Sequence, residues 1–450
     1  MTAAVDKVGG IAEGLRGVPA HGCGWVNALR AAGVGAFEKR GFPKGKEEEW
    51  RDTNVAPIVE TPFVPARRAG GQAARELAAK YGFGPQAAAE LVFVNGFYEP
   101  ELSRTDTQLD VRAMSLAAAL EKDPLVERHL GKYAKIEQHP FAAINTAHLQ
   151  NGAFVHLGRG DTCAKPIHLL FLTTASAEPA AAHPRVLVVA DENSEGFVVE
   201  TYAGEDGGVY LCNAVTEIVL GPGARLDHNM MQQEGDLAYH TALMQVLLEA
   251  GSAFVSHSTS MGGKLTRNDL QVLLNGEGAE ATLNGLVYAH GEQHIDNHTL
   301  LMHEKGHCTS HELYKHVLAD KAEAIFKGKI YVQKDAQKTD SKQTSKALLL
   351  SDTALMNSQP ALEIYADDVK CTHGSTTGPV DANAVFYLIS RGLSRAQARH
   401  LMTYAFAADI TRRIRIAPVR ARIEDYMAAQ HGLPLDLRIT EGAAADVALL

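Results

Sequence analysis

Six histidines, His294, His298, His303, His307, His311 and His316, fall within 23 residues and form the densest group of metal-capable side chains in the chain. Steps of four between His303, His307 and His311 put three imidazoles on one face of a helix, as in helical zinc sites. Residues four apart in a strand also share a face, so the same spacing fits a packed, hydrogen-bonded histidine ladder. A second arrangement, GPGARLDHNMMQQEG, has the glycine turn, His228 and Glu234 of a cupin-like metal site. Met230 replaces its second histidine, and a thioether is a poor ligand for a hard divalent ion. The five cysteines, Cys23, Cys163, Cys212, Cys308 and Cys371, are dispersed and include no CxxC pair, which argues against a disulfide framework or a zinc ribbon. Most are expected to be small buried hydrophobes. No GxxxxGK[ST] loop and no GxSxG elbow occurs, so the chain is expected to hydrolyse no ATP itself. Glu47, Glu48 and Glu49 before Trp50 read as a solvated acidic face with one aromatic staple.

The elements that must position these residues change character along the chain. Up to about residue 150, Trp25 to Phe37, Gln72 to Tyr81, Val111 to Leu120 and Pro140 to Leu149 carry helical spacing. Leu91 to Val94, Asn95-Gly96 and Phe97-Tyr98 read as a hairpin, because Asn-Gly favours a type I′ turn. From Ala153 short β-rich runs follow one another: AFVHL, HLLFL, RVLVVA, FVVETY, TEIVL, ALMQVLL and LQVLL. Gly196, Gly223, Gly251, Gly278 and Gly306 recur among them at intervals of 27, 28, 27 and 28, and Asp335 follows 29 later. A repeat of that length with strands and turns in each unit predicts a stacked β-solenoid, with a regular antiparallel sandwich as its competitor. After Gly378 helices return. Asp381 caps the first, Gly392 stops it, Ser394 caps a second, and Val419 to His431 is a third. The terminal EGAAADVALL carries no structural signal.

Length and composition set the outer bounds. At 450 residues the chain needs two or three structural units, and 46% apolar with 21% charged residues is the composition of a folded globular protein. A net charge of -10 argues against a general nucleic-acid binder. The first twenty residues resemble neither a signal peptide nor a transit peptide, and no apolar run is long enough to span a bilayer, so a cytoplasmic protein is expected. A carbohydrate-active solenoid would need paired carboxylates and aromatic platforms, yet aromatics make up 6%.

One stretch goes further. Phe326 to Gly378, FKGKIYVQKDAQKTDSKQTSKALLLSDTALMNSQPALEIYADDVKCTHGSTTG, closely resembles the most distinctive segment of the SufB/SufD family of iron–sulfur cluster assembly scaffolds. The likeness continues through VFYLISRGLSRAQARHLM (Val385 to Met402). Upstream it takes in FPKGKEEEWRDTNV (Phe42 to Val55), LVFVNGFYEPELS (Leu91 to Ser103) and FAAINTAHLQNGAFVHL (Phe141 to Leu157). The run DVKCTHG resembles the SufD branch, and the N-terminal cysteine cluster frequent in the SufB branch is missing.

The resemblance implies a right-handed parallel β-helix over 151–378, a mainly helical region over 1–150 and a helical SufC-binding region over 379–450. It implies a non-catalytic scaffold that pairs with a SufB-like paralogue through its β-helix end and binds a SufC-like ABC ATPase through its C-terminal helices. Phe386, Tyr387, Leu401, Tyr404 and Phe406 are candidates for that contact, with internal helix packing as the alternative. Cys371 and His373 carry over as half of a site for a transient iron–sulfur cluster or iron at the SufB interface, His373 the more important ligand and Cys371 its support. A thiolate suits iron or sulfur, and an imidazole beside it ligates iron or moves a proton. A reduced flavin is an expectation of the assembled complex only, no cofactor is expected in the isolated chain, and a homodimer is the expected alternative pairing. The competing reading is a stand-alone metal enzyme on a β-solenoid, built on the histidine cluster.

Overall fold

The computed structural model describes residues 14–105, except 16, and 111–430. His431 and the segment EGAAADVALL lie outside the described residues.

The chain is mainly β, a parallel solenoid of about eight turns flanked by helices. Each turn places one strand in each of two facing sheets, and successive turns pair in parallel register. The first sheet runs from Gly152–Leu157 through Tyr210–Leu220 and His294–His303 to Leu355–Ile364. The second runs from Ala89–Val94 through Arg225–Gln233 and Thr309–Leu318 to Lys370–Pro379. The repeat read from the glycines is the coil: 27 residues separate the paired Ser256 and Leu283, and 31 separate Glu312 and Gln343. At one corner the backbone turns through the left-handed region, which a residue without a Cβ enters freely. Gly223, Gly251 and Gly278 sit there at φ 69, 70 and 65° in the order Gly223, Gly278, Gly251. Asn193, His307 and Lys338 take equivalent turn positions at φ 58, 60 and 63°. Gly196 lies in the following strand and Gly306 one residue early, so these two marked the period without making the turn.

Alternating residues fill the space between the sheets. Val188, Ile218, Val246, Val272, Leu301 and Ile330 are fully buried and belong to one continuous core, each contributing about 1.5–3 kcal/mol by burial. Most outer faces of the early coils are also covered. Helix Pro140–Ala147 is buried along its whole length, and Phe141 and Ile144 share a core with Leu211, Val215 and Leu243. Helix Ala417–Gln430 buries Val419, Ile423 and Met427 against Val199, Met231 and Leu286. Among the described residues, no helix is long and apolar enough to cross a membrane.

The hairpin forms as the Asn-Gly pair predicts. Phe93 pairs with Tyr98, and Asn95 and Gly96 have φ 52 and 83°. The helix expected over Val111 to Leu120 begins later. Arg112–Ser115 is a strand antiparallel to Gly152–Leu157, and Ser115 caps helix Leu116–Lys122. An available sheet edge outweighs local propensity there. Asp381 caps Ala382–Ser390, and Ser394 forms a capping box with Gln397 at the start of Arg395–Thr411.

Candidate functional site

Cys371 and His373 lie on Lys370–Pro379, the last strand of the second sheet. Paired residues in a parallel sheet point to the same side, so their direction follows from the strand beneath. Cys371 pairs with Ser341 and His373 with Gln343, both about 1% exposed and facing the solenoid interior. The two side chains therefore occupy inward-facing positions, but among the described residues no further coil covers them. Cys371 is half-buried against the apolar core and His373 is exposed. Met356 and Leu362 on the last strand of the first sheet also pack at the edge of that core.

Beneath the pair stand two polar columns. Under Cys371, Ser341 Oγ lies 2.7 Å from Ser310 Oγ, which lies 2.9 Å from His303 Nε2. Under His373, the Gln343 amide donates to Glu312 Oε2 at 2.7 Å. Burial pushes the Glu312 carboxyl up to about 7, although the hydrogen bonds from Thr299 and Gln343 oppose it. Burial, with Asp340 nearby, also raises the Cys371 thiol, partly offset by the Ser341 backbone. Burial thus favours the protonated thiol at Cys371. Ser310, Ser341, Glu312 and Gln343 were not picked out from sequence. Their signal was the coil offset itself, since Gln343 lies 30 residues before His373 and Glu312 another 31 earlier.

The six histidines do not form one site. His303 and His316 point into the solenoid, where burial lowers each to about 4. His294 bonds Thr53 and Glu323, and His298 lies 3.0 Å from Asp296 in an ion pair, on the face covered by the N-terminal region. His307 and His311 are exposed. His303 to His307 spell HExxH, yet the spelling spans a strand end and a turn, which sends the two rings in different directions. Among the described residues, none of the six belongs to a group of three ligand atoms within 4.8 Å of one another. The cupin-like pair also separates: His228 bonds Glu200 at 2.9 Å, while Glu234 faces His240.

The acidic triplet is largely solvated with Trp50 buried beside it, as expected, and Glu49 adds ion-pair contacts. Glu49 sits 3.5 Å from His298 and 3.2 Å from Lys327, and Arg267 stacks 3.7 Å over the Trp50 ring. Of the five C-terminal candidates, Phe386 and Tyr387 are exposed, at 73% and 44%. Leu401 packs between helices, and Tyr404 and Phe406 pack against the core shared by the C-terminal helices and the solenoid. An amphipathic helix covers its own fold before it offers a face to a partner.

The family described as SUF system FeS cluster assembly, SufBD core domain, matches residues 171–406, and the SufBD protein N-terminal region matches residues 13–169. An iron–sulfur cluster assembly SufBD family protein of Synechocystis is 32% identical, covering 86% of this chain and 87% of its own length. The iron–sulfur cluster assembly protein SufD of Escherichia coli is 32% identical over 84% of this chain and 86% of its own. SufD of Bacillus subtilis is 26% identical over 68% and 71%.

Proposed function

Since the chain belongs to the SufBD family of iron–sulfur cluster assembly proteins, we propose that it is the SufD-type scaffold subunit of a cytoplasmic assembly complex, pairing end to end with a SufB-like paralogue. The observation that carries this reading is the bare end of the solenoid. Among the described residues both sheets finish there on strands paired along one edge only, Leu355–Ile364 and Lys370–Pro379, with Cys371 and His373 at positions that a further coil would enclose. An open strand edge is a template for pairing with another chain.

In this reading the nascent cluster or its iron is cargo at the junction. His373 provides an exposed imidazole and Cys371 a thiol that loses its proton on binding metal. Two ligands from one strand leave a cluster's remaining positions to the partner. The exposed Phe386 and Tyr387 on helix Ala382–Ser390 form the contact for a SufC-like ABC ATPase, which performs the ATP chemistry. The subunit itself is a non-catalytic scaffold.

The test is coexpression with SufB- and SufC-like partners. His373→Ala should leave complex formation intact and lower cluster content and cellular iron–sulfur enzyme activity. Unchanged cluster content would refute the site. Phe386→Asp should release the ATPase while the paralogue stays bound, and retained ATPase would refute the docking assignment.

A further inference from the structure

A second group of ligands lies far from the bare end. Cys212 and His240 start successive strands of the first sheet and are direct register partners. Glu234 follows the end of strand Arg225–Gln233 of the second sheet, at the corner where the chain crosses over. The Cys212 Sγ, one Glu234 carboxylate oxygen and one His240 ring nitrogen all lie within 4.8 Å of one another, and all three residues are buried. They are the only such group among the described residues.

From the cysteine, the acid and the imidazole converging on one point, we propose that Cys212, Glu234 and His240 form an internal binding site for a divalent transition ion of the zinc or ferrous class. The donor set excludes calcium and magnesium, which take oxygen ligands, and suits a borderline ion that accepts thiolate, imidazole and carboxylate together. Bond lengths to such an ion place tetrahedral ligand atoms about 3.5 Å apart, so a separation within 4.8 Å needs only small closure.

His240 supplies an independent observation. Its side chain is wholly buried, and neither ring nitrogen has a hydrogen-bond partner. Nδ1 approaches Glu234 Oε2 to 2.8 Å, but the alignment is not that of a hydrogen bond. An imidazole and a carboxylate held close without sharing a proton are arranged as two ligands of one cation. Gln232 donates its amide to Glu234 Oε2 at 3.1 Å and orients it, as outer partners of metal ligands do. Its carbonyl oxygen is buried without a hydrogen-bond partner beside the site.

Ion entry has a route. Glu234 also lines a cleft of about 750 Å³ between the solenoid and helix Ala417–Gln430, together with Asp206, Asp236 and Asp425. Binding balances charge: Cys212 gives up its proton to solvent, and thiolate plus carboxylate neutralise the ion. Without metal the thiol stays protonated, because burial and the Glu234 and Glu200 carboxylates raise it well above the usual thiol range.

The test is anaerobic titration of the metal-free full chain with cobalt(II), whose thiolate charge-transfer absorption reports sulfur ligation. One equivalent with that absorption is expected. Cys212→Ser should abolish it, while the Cys371→Ser/His373→Ala double variant should keep it, which separates this site from the bare end. Glu234→Gln and His240→Gln keep side-chain volume and provide the second readout. Each should weaken binding ~100-fold or more, at or beyond the upper end of the 10–100-fold that outer partners are worth. Absence of thiolate-ligated cobalt, absorption that persists in Cys212→Ser, or unchanged affinity in both Gln variants would overturn the proposal.

Discussion

Glu312 offers the most quantitative test of the interior beneath Cys371 and His373. It is fully enclosed, accepts a hydrogen bond from Gln343, and is raised from its ordinary 4.5 to about 7 by burial. A carboxyl moved that far corresponds to ~3 kcal/mol of preference for the protonated form in the folded state. The direction is fixed by linkage. Below pH 4.5 both folded and unfolded chains hold the proton and nothing is lost. Between 4.5 and 7 the unfolded chain has released it while the folded chain has not, so stability falls as pH rises. Above 7 the folded state carries a buried carboxylate and the loss levels off. Glu312→Gln removes the charge and still accepts from Gln343 through its amide oxygen. Urea denaturation of variant and parent at pH 5 and pH 8 should therefore differ in outcome. The two should be nearly equal at pH 5, and the variant more stable by ~3 kcal/mol at pH 8. An equal difference at both pH values would refute the reasoning, because it would mean that Glu312 does not titrate differently on folding.

Three further outcomes are expected. Glu217→Gln removes the partner of Arg185, a pair at 2.6 Å with both side chains fully buried, and should cost ~3–5 kcal/mol. Glu217 also accepts the backbone N–H groups of Gly131, Tyr133 and Ala134, so limited proteolysis should find new cleavage near residue 131. Gly276→Ala would place a Cβ 1.9 Å from the Ala250 backbone nitrogen and should cost ~1–3 kcal/mol or more, whereas Gly278→Ala, with open space but φ 70°, should cost only ~1–2 kcal/mol; denaturation midpoints give the ranking. In the Glu49–His298 pair, the His298 hydrogen bond, opposed by burial and aided by Lys327, holds Glu49 at about 2. Asp296 outweighs burial and holds His298 at about 9. The Glu49 contribution is present above pH 4.5 and lost as pH falls through 2. That of His298 is present below 6.5 and lost as pH rises through 9. Hydrogen exchange around Trp50 should thus respond most to Glu49→Gln between pH 4.5 and 6.5, and equal responses at pH 6 and pH 10 would contradict the pairing.

The solenoid was legible because its corner leaves a chemical trace. Gly223, Gly251 and Gly278 occupy a backbone region that disfavours a Cβ, and the Asn95-Gly96 turn declares itself for the same reason. Where Asn193, His307 and Lys338 accept the strained turn, the trace is lost, although Gly196 and Gly306 keep the period beside the first two. The expected antiparallel competitor fails on register, since every coil-to-coil ladder from Arg185–Ala190 onward is parallel. Less of the site could be read. The histidine cluster combined interior, outer-face and turn positions that one-dimensional spacing cannot separate. Cys212 and His240 meet as register partners one coil apart, and Glu234 joins them from the corner before the second of those strands, a convergence that spacing along the chain does not display. Likewise, hydrophobic spacing in the C-terminal helices did not distinguish Phe406, which packs on the solenoid side, from Phe386, which faces outward.

The two ends of the solenoid are treated differently, and that contrast is the strongest physical reason to expect a partner. At the first end, Phe97–Tyr98 and Arg104–Thr105 pair antiparallel with Ala89–Val94, and Arg112–Ser115 closes off Gly152–Leu157. Among the described residues the last coil has no such closure: Leu355 and Tyr365 are 59% and 57% exposed, and Lys370–Pro379 is exposed along most of its length. Natural sheets protect open edges, because an uncapped edge recruits other chains. Pro360, which lacks an N–H to donate, sits on this outermost strand, where proline is tolerated and limits indiscriminate pairing. An edge that is restricted but left uncapped, with a thiol and an imidazole set into it, favours a specific partner over both a free end and general aggregation.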